Sequence, residues 1–155
     1  MARQMDNGKH SEEQEAASRT GERDGAQPRL EFATPILPVR KGILTVPVVG
    51  IIDADRARDL AEQILRSIHQ RRARAVVIDL TGVPAIDART ANALVQISDA
   101  AGLLGAKVIA TGISRVVAQT LVEIGADLSR IITRADLESG LDEASHLIEE
   151  RPQSR

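Results

Sequence analysis

The chain has 155 residues, 43% of them hydrophobic, and a formal net charge of −2, which suits one globular domain with a sizeable core and leaves no room for a second. It has no cysteine and one aromatic residue, Phe32, so disulfides, thiolate metal sites and the stacking platforms that hold single-stranded nucleic acid are excluded. Charges interrupt its apolar runs well short of the roughly 20 residues that span a bilayer, and the opening MARQMDNGKH is too polar for a secretory signal. These features predict a soluble, cytoplasmic protein with neither membrane nor nucleic acid among its partners.

Residues 1–33 are rich in Glu, Gln, Arg, Ser and Gly and poor in branched aliphatics, the composition of a disordered polar arm. The expected domain covers 34–150, with 151–155 as a short disordered tail. It opens as a hairpin: Ile36 to Val39, a turn at Arg40-Lys41-Gly42, and Ile43 to Val49, where Pro38 and Pro47 suggest edge positions because proline donates no ladder hydrogen bond. Asp53 is placed to cap a helix in which Ala57, Leu60, Ala61, Ile64, Leu65 and Ile68 form one apolar stripe. The continuous apolar run Ala75 to Leu80 reads as a strand covered on both faces.

The same alternation continues to the end. A helix from about Asp87 to Leu104 stops at Gly105; Lys107 to Thr111 is a second buried strand; Ser114 caps a short helix with Val117, Leu121 and Ile124 on one face. Arg130 to Thr133 forms a last strand, and Leu137, Leu141, Ala144 and Ile148 line the inner face of a final helix. The predicted order β-β-α-β-α-β-α-β-α defines an α/β domain with a mixed sheet and helices packed on it.

Ligands of open α/β sheets gather beyond the carboxyl ends of the strands, where two strands here end alike, in Thr81-Gly82 and Thr111-Gly112. None of His10, His69 and His146 is near those ends in sequence, and neither a Gly-Lys-Ser/Thr loop nor a Gly-x-Gly-x-x-Gly follows any strand. Asp53, Asp55 and Asp59 have a ligand-like spacing, but capping and the preference of carboxylates for a helix N-terminus account for them, so no metal is expected. No cofactor is implied either. Arg66, Arg71, Arg72 and Arg74 are a basic group that the C-terminal helix dipole explains without a ligand, with an acidic partner surface as the other reading.

The stretch VVIDLTGVPAIDARTANALVQISDAAGLLGAKVIATGISRVVAQTLVEIGADLSRIITRADLESGL resembles the STAS domain of stressosome proteins, the RsbR-type co-antagonists and less closely RsbS. The preceding TVPVVGIIDADRARDLAEQIL is similar to the RsbR side of that pair, and the likeness extends from about Ile36 to Leu147. It implies the STAS fold and a non-catalytic signalling scaffold in a large cytoplasmic complex. Such a scaffold sequesters an RsbT-like switch serine/threonine kinase together with paralogous RsbR-type and RsbS-type STAS proteins, forms a homodimer within the assembly, and is regulated by phosphorylation. A simple anti-sigma factor antagonist is the alternative of the same class, and a small-molecule-binding α/β domain is the alternative of a different one.

In relatives the residue after the aspartate at the start of the second helix is commonly a phosphate-accepting serine or threonine; here Ala88 follows Asp87, and the acceptor is lost. The resemblance leaves Thr120 as the first candidate for phosphorylation and Thr90 as the second, beside local roles: Thr120 bonding back to the Val116 carbonyl, Thr90 offering its amide to an Asp87 cap. Thr111 and Thr81 are expected to satisfy local backbone groups. The expected partner-binding surface comprises Asp87, Ala88, Thr81, Gly82, Thr111 and Gly112.

Overall fold

The computed structural model describes residues 33–150. The expected arm and tail lie outside the described residues. Five strands, β1 (Leu37–Arg40), β2 (Ile43–Val49), β3 (Ala75–Gly82), β4 (Lys107–Thr111) and β5 (Ile131–Arg134), form one sheet in sequential order. β1 runs antiparallel to β2, and the other three pairings are parallel. Four helices, α1 (Ala54–Arg71), α2 (Ala88–Leu103), α3 (Arg115–Glu123) and α4 (Leu137–Glu149), complete the mixed α/β fold read from the sequence.

Strand alternation sends side chains to two unequal layers. Leu44, Val46 and Val48 of β2, Val76, Ile78 and Leu80 of β3, and Val108 and Ala110 of β4 join the buried residues of α1, α2 and α3 in the larger core. Ile43, Ala75, Val77 and Ile109 face the other way, against Ala144 of α4. Each fully buried Ile or Val of these strands contributes about 2 kcal/mol of transfer free energy, so the two faces rather than the turns hold the sheet together.

α1 has the stripe its spacing predicts: Ala57, Leu60, Ile64 and Ile68 are buried, with Ala61 and Leu65 packed beside them. Its cap is Asp53, whose Oδ1 accepts the Arg56 amide at 2.8 Å. Pro47 departs from expectation, because β2 lies inside the sheet between β1 and β3. The β1 ladder reaches only Thr45, and the β2–β3 register shifts between Pro47 and Val49, so the missing N–H falls where pairing is already interrupted. Ile124 also differs: it closes α3 as the C-cap and remains 38% exposed instead of completing the buried face.

Candidate functional site

Parallel strands bring the ends of β3 and β4 side by side, Asp79 opposite Thr111. Asp79 and Thr111 share the α4 side of the sheet, and there the Asp79 Oδ1 accepts hydrogen bonds from the Thr111 hydroxyl at 3.0 Å and the Thr81 hydroxyl at 2.8 Å. The Thr81 amide approaches the same oxygen at 3.4 Å. One carboxylate therefore ties the two Thr-Gly strand ends together. Asp79 has no signal in the sequence, because an aspartate inside an apolar run is marked by no spacing; only the register supplies its partners.

Glycines close the packing around this group. A Cβ on Gly112, whose φ is +67°, would stand 2.0 Å from Thr81 Oγ1 and 2.9 Å from Asp79 Oδ1. On the first turn of α4, a Cβ on Gly140 would stand 2.4 Å from Thr111 Cγ2. The consequence corrects one expectation: Thr111, assigned to the partner surface, is completely buried and its hydroxyl is committed to Asp79. Thr81 and Gly82 are exposed, and Gly112 is half-buried.

The start of α2 is a separate feature at the same end of the sheet. Asp87 caps the helix, its Oδ1 accepting the Thr90 amide at 2.8 Å. Chiefly that bond, with a smaller contribution from the Arg89 charge, holds the Asp87 carboxyl below the ordinary value of 3.8. Ala88 is exposed in the first turn. Thr90 points inward, 7% exposed, and donates its hydroxyl to the Ile52 carbonyl at 3.0 Å. Its hydroxyl is thus withheld from solvent, against its standing as a phosphorylation candidate.

That bond also fixes the β2–α1 loop beside α2. Val49 and Ile51, at 65% and 80% exposure, are large apolar side chains left in solvent there, and Gly50 donates its amide to the Gly82 carbonyl at 2.9 Å. An exposed apolar pair thus stands on the loop that is held beside the start of α2. The pair had no signal in the sequence, since Val49 ends a strand and Ile51 reads equally well as buried.

Thr120 is on α3, half-buried, with its hydroxyl donated to the Val116 carbonyl at 3.1 Å, the local bond that its helix position allows. Val116 and Ile124, one turn to either side of it, are 52% and 38% exposed. A cavity of about 30 Å³ lies under α2, lined by aliphatic side chains and Thr90; it has no cluster of convergent polar groups. Among the described residues no group of His, Asp or Glu is arranged to hold a metal ion, and no helix is long and apolar enough to cross a membrane.

This fold, a sequential mixed sheet with three helices on one face and one on the other, is that of the STAS domain. The family model for the STAS domain matches residues 34–144, and the chain belongs to that family. The RsbT co-antagonist protein RsbRA of Bacillus subtilis is 38% identical over 121 residues, covering 78% of this chain and 44% of that protein. Among solved structures, a single-substitution variant of RsbS from Moorella thermoacetica is 32% identical with a TM-score of 0.66, covering 74% of this chain and 96% of that one. A chain from the molecular architecture of the stressosome, described as a signal integration and transduction hub, is 30% identical with a TM-score of 0.61, covering 73% and 97%. The chain spans less than half the length of the curated RsbR relatives it matches.

Proposed function

We propose that this domain is a non-catalytic scaffold of a bacterial stressosome. It sequesters an RsbT-like switch serine/threonine kinase and assembles, as a homodimer, with paralogous RsbR-type and RsbS-type STAS proteins in the cytoplasm. The observation that carries the reading is the 38% identity to an RsbT co-antagonist across 78% of the chain. The exposed apolar pair Val49 and Ile51 beside Asp87 and Ala88 supports a partner surface at the carboxyl end of the sheet.

The regulatory site of this reading is Thr120. Ala88 has no hydroxyl, and that of Thr90 is turned inward to Ile52. A phosphoryl group on Thr120 adds about −1.5 to −2 charges between the exposed Val116 and Ile124 and one turn from Glu123. An apolar strip would become anionic, and a partner seated on it would be released by desolvation cost and like-charge repulsion.

Incubation with the cognate switch kinase and ATP, followed by site mapping, tests the regulatory part: phosphate on Thr120 is expected, and phosphate confined to other residues overturns it. Size under native conditions with purified paralogues tests the assembly. A very large particle is expected, whereas a persistent one-to-one kinase complex identifies a simple anti-sigma factor antagonist instead.

A further inference from the structure

The amino end of the sheet, away from Asp87, brings together cations that are far apart in sequence. Lys41 lies in the β1–β2 turn, Arg71, Arg72 and Arg74 follow one another around the end of α1, and Lys107 opens β4. Backbone hydrogen bonds lace these connections together: the Arg74 amide donates to the Gly42 carbonyl at 2.8 Å, and the Lys107 amide donates to the Arg74 carbonyl at 2.9 Å. Lys41, Arg71, Arg72 and Lys107 are exposed, and none forms an ion pair among the described residues. Glu149 and Glu150 close α4 nearby, following the Ile148 whose carbonyl accepts from Arg74, and they pair with none of the four.

The dipole of α1 accounts for a cation at Arg71. It does not account for Lys41 and Lys107, which belong to other elements and reach the same rim only through the sheet. Arg72 gives a second, independent sign. At φ 50° and ψ 43° it is the one non-glycine among the described residues with positive φ, where five other positions use glycine. A left-handed C-cap is a glycine position by sterics, and a side chain retained there against strain points to a use for that side chain.

We propose that this rim is a docking surface for an acidic polypeptide segment. Single-stranded nucleic acid fits it poorly because the described residues include no aromatic side chain on which bases could stack. An anionic membrane is the rival that the vesicle arm of the test excludes, since Leu103 and Leu104, 87% and 46% exposed, end α2 just before Lys107. A run of Glu or Asp needs only cations spaced across adjacent strands, about 5 Å apart. Because the rim is at the opposite end of the sheet from Asp87, it can be occupied together with the surface proposed above, and it stands whether or not that reading does.

Titration of the isotope-labelled chain with a short oligoglutamate peptide tests the proposal by amide shift mapping. The expected shifts are confined to Gly42, Arg71 to Arg74 and Lys107, and they weaken with added salt. The exposed double variant Lys41→Glu/Lys107→Glu is expected to lose about tenfold in affinity. Arg72→Gly separates use from structure: it should raise thermal stability by relieving the left-handed strain and yet weaken the peptide. A more stable Arg72→Gly that binds equally well overturns the proposal. So do the absence of rim shifts, and tighter binding of a single-stranded oligonucleotide of matched charge or of phosphatidylserine vesicles.

Discussion

Asp79 on β3 accepts the hydroxyl of Thr111 on β4 at 3.0 Å, so the ends of these two neighbouring strands are joined by a side chain as well as by the ladder. Thr111→Val keeps the shape and removes one charge-assisted bond, with an expected loss of about 1.5 kcal/mol. Asp79→Ala removes the acceptor of both hydroxyls and should cost more, about 3 kcal/mol. Urea denaturation of the two variants measures the difference; equal losses would mean that Thr81 contributes nothing to the group.

Two glycines should respond to alanine with opposite signs. At Gly112 the new Cβ meets Thr81 Oγ1 and a backbone at φ +67°, so Gly112→Ala should destabilise by about 3 kcal/mol or more. At Gly102, inside α2, a Cβ meets nothing within 4 Å, and Gly102→Ala should stabilise by up to about 1 kcal/mol. Paired thermal melts decide both.

Stability should fall on acidification through two helix caps and one loop carboxylate. Asp87 and Asp136 accept the amides of Thr90 and Ser139, and Asp127 accepts from Ser129, bonds that hold all three carboxyls below the ordinary value of 3.8. A depressed folded-state value means that the unfolded chain takes up its protons first. The contribution is fully present above 3.8 and is lost as pH falls through the lower folded values. Asp136→Ser keeps a capping oxygen that does not titrate, so its unfolding free energy should depend less steeply on pH between neutrality and pH 3 than that of the parent. An unchanged slope would remove Asp136 from the account.

Ala88→Ser restores a hydroxyl at an exposed position of the first helical turn. If the phosphate acceptor is lost at this position, the variant should acquire a second phosphate from the switch kinase, read by intact mass, while Thr120→Ala in the parent should abolish modification. A phosphorylated Thr120→Ala chain would point to another acceptor.

Much of the architecture is legible in the chain because periodicity is a local property. The apolar run Ala75 to Leu80 declares a strand covered on both faces, and β3 is central. The spacing of Ala57, Leu60, Ile64 and Ile68 declares the buried stripe of α1, and Asp53, Asp87 and Ser114 declare their helix starts. Pro47 misled because the rule for proline concerns whole strands, whereas β2 loses its partner only over its last residues.

The candidate site divides along the same line. The sequence by itself determined that Asp87 caps a helix, that Ala88 offers no hydroxyl and that the chain resembles the STAS family, because each rests on neighbouring residues or on a motif. Only the tertiary structure decided that Thr111 is buried on Asp79, that Thr90 turns inward to Ile52, that Val49 and Ile51 stand in solvent, and that the β1–β2 turn and the start of β4 are bonded to the backbone of Arg74 just after α1. Those relations join residues many positions apart. Strand register and helix packing place them, and neither is written in any one stretch of sequence.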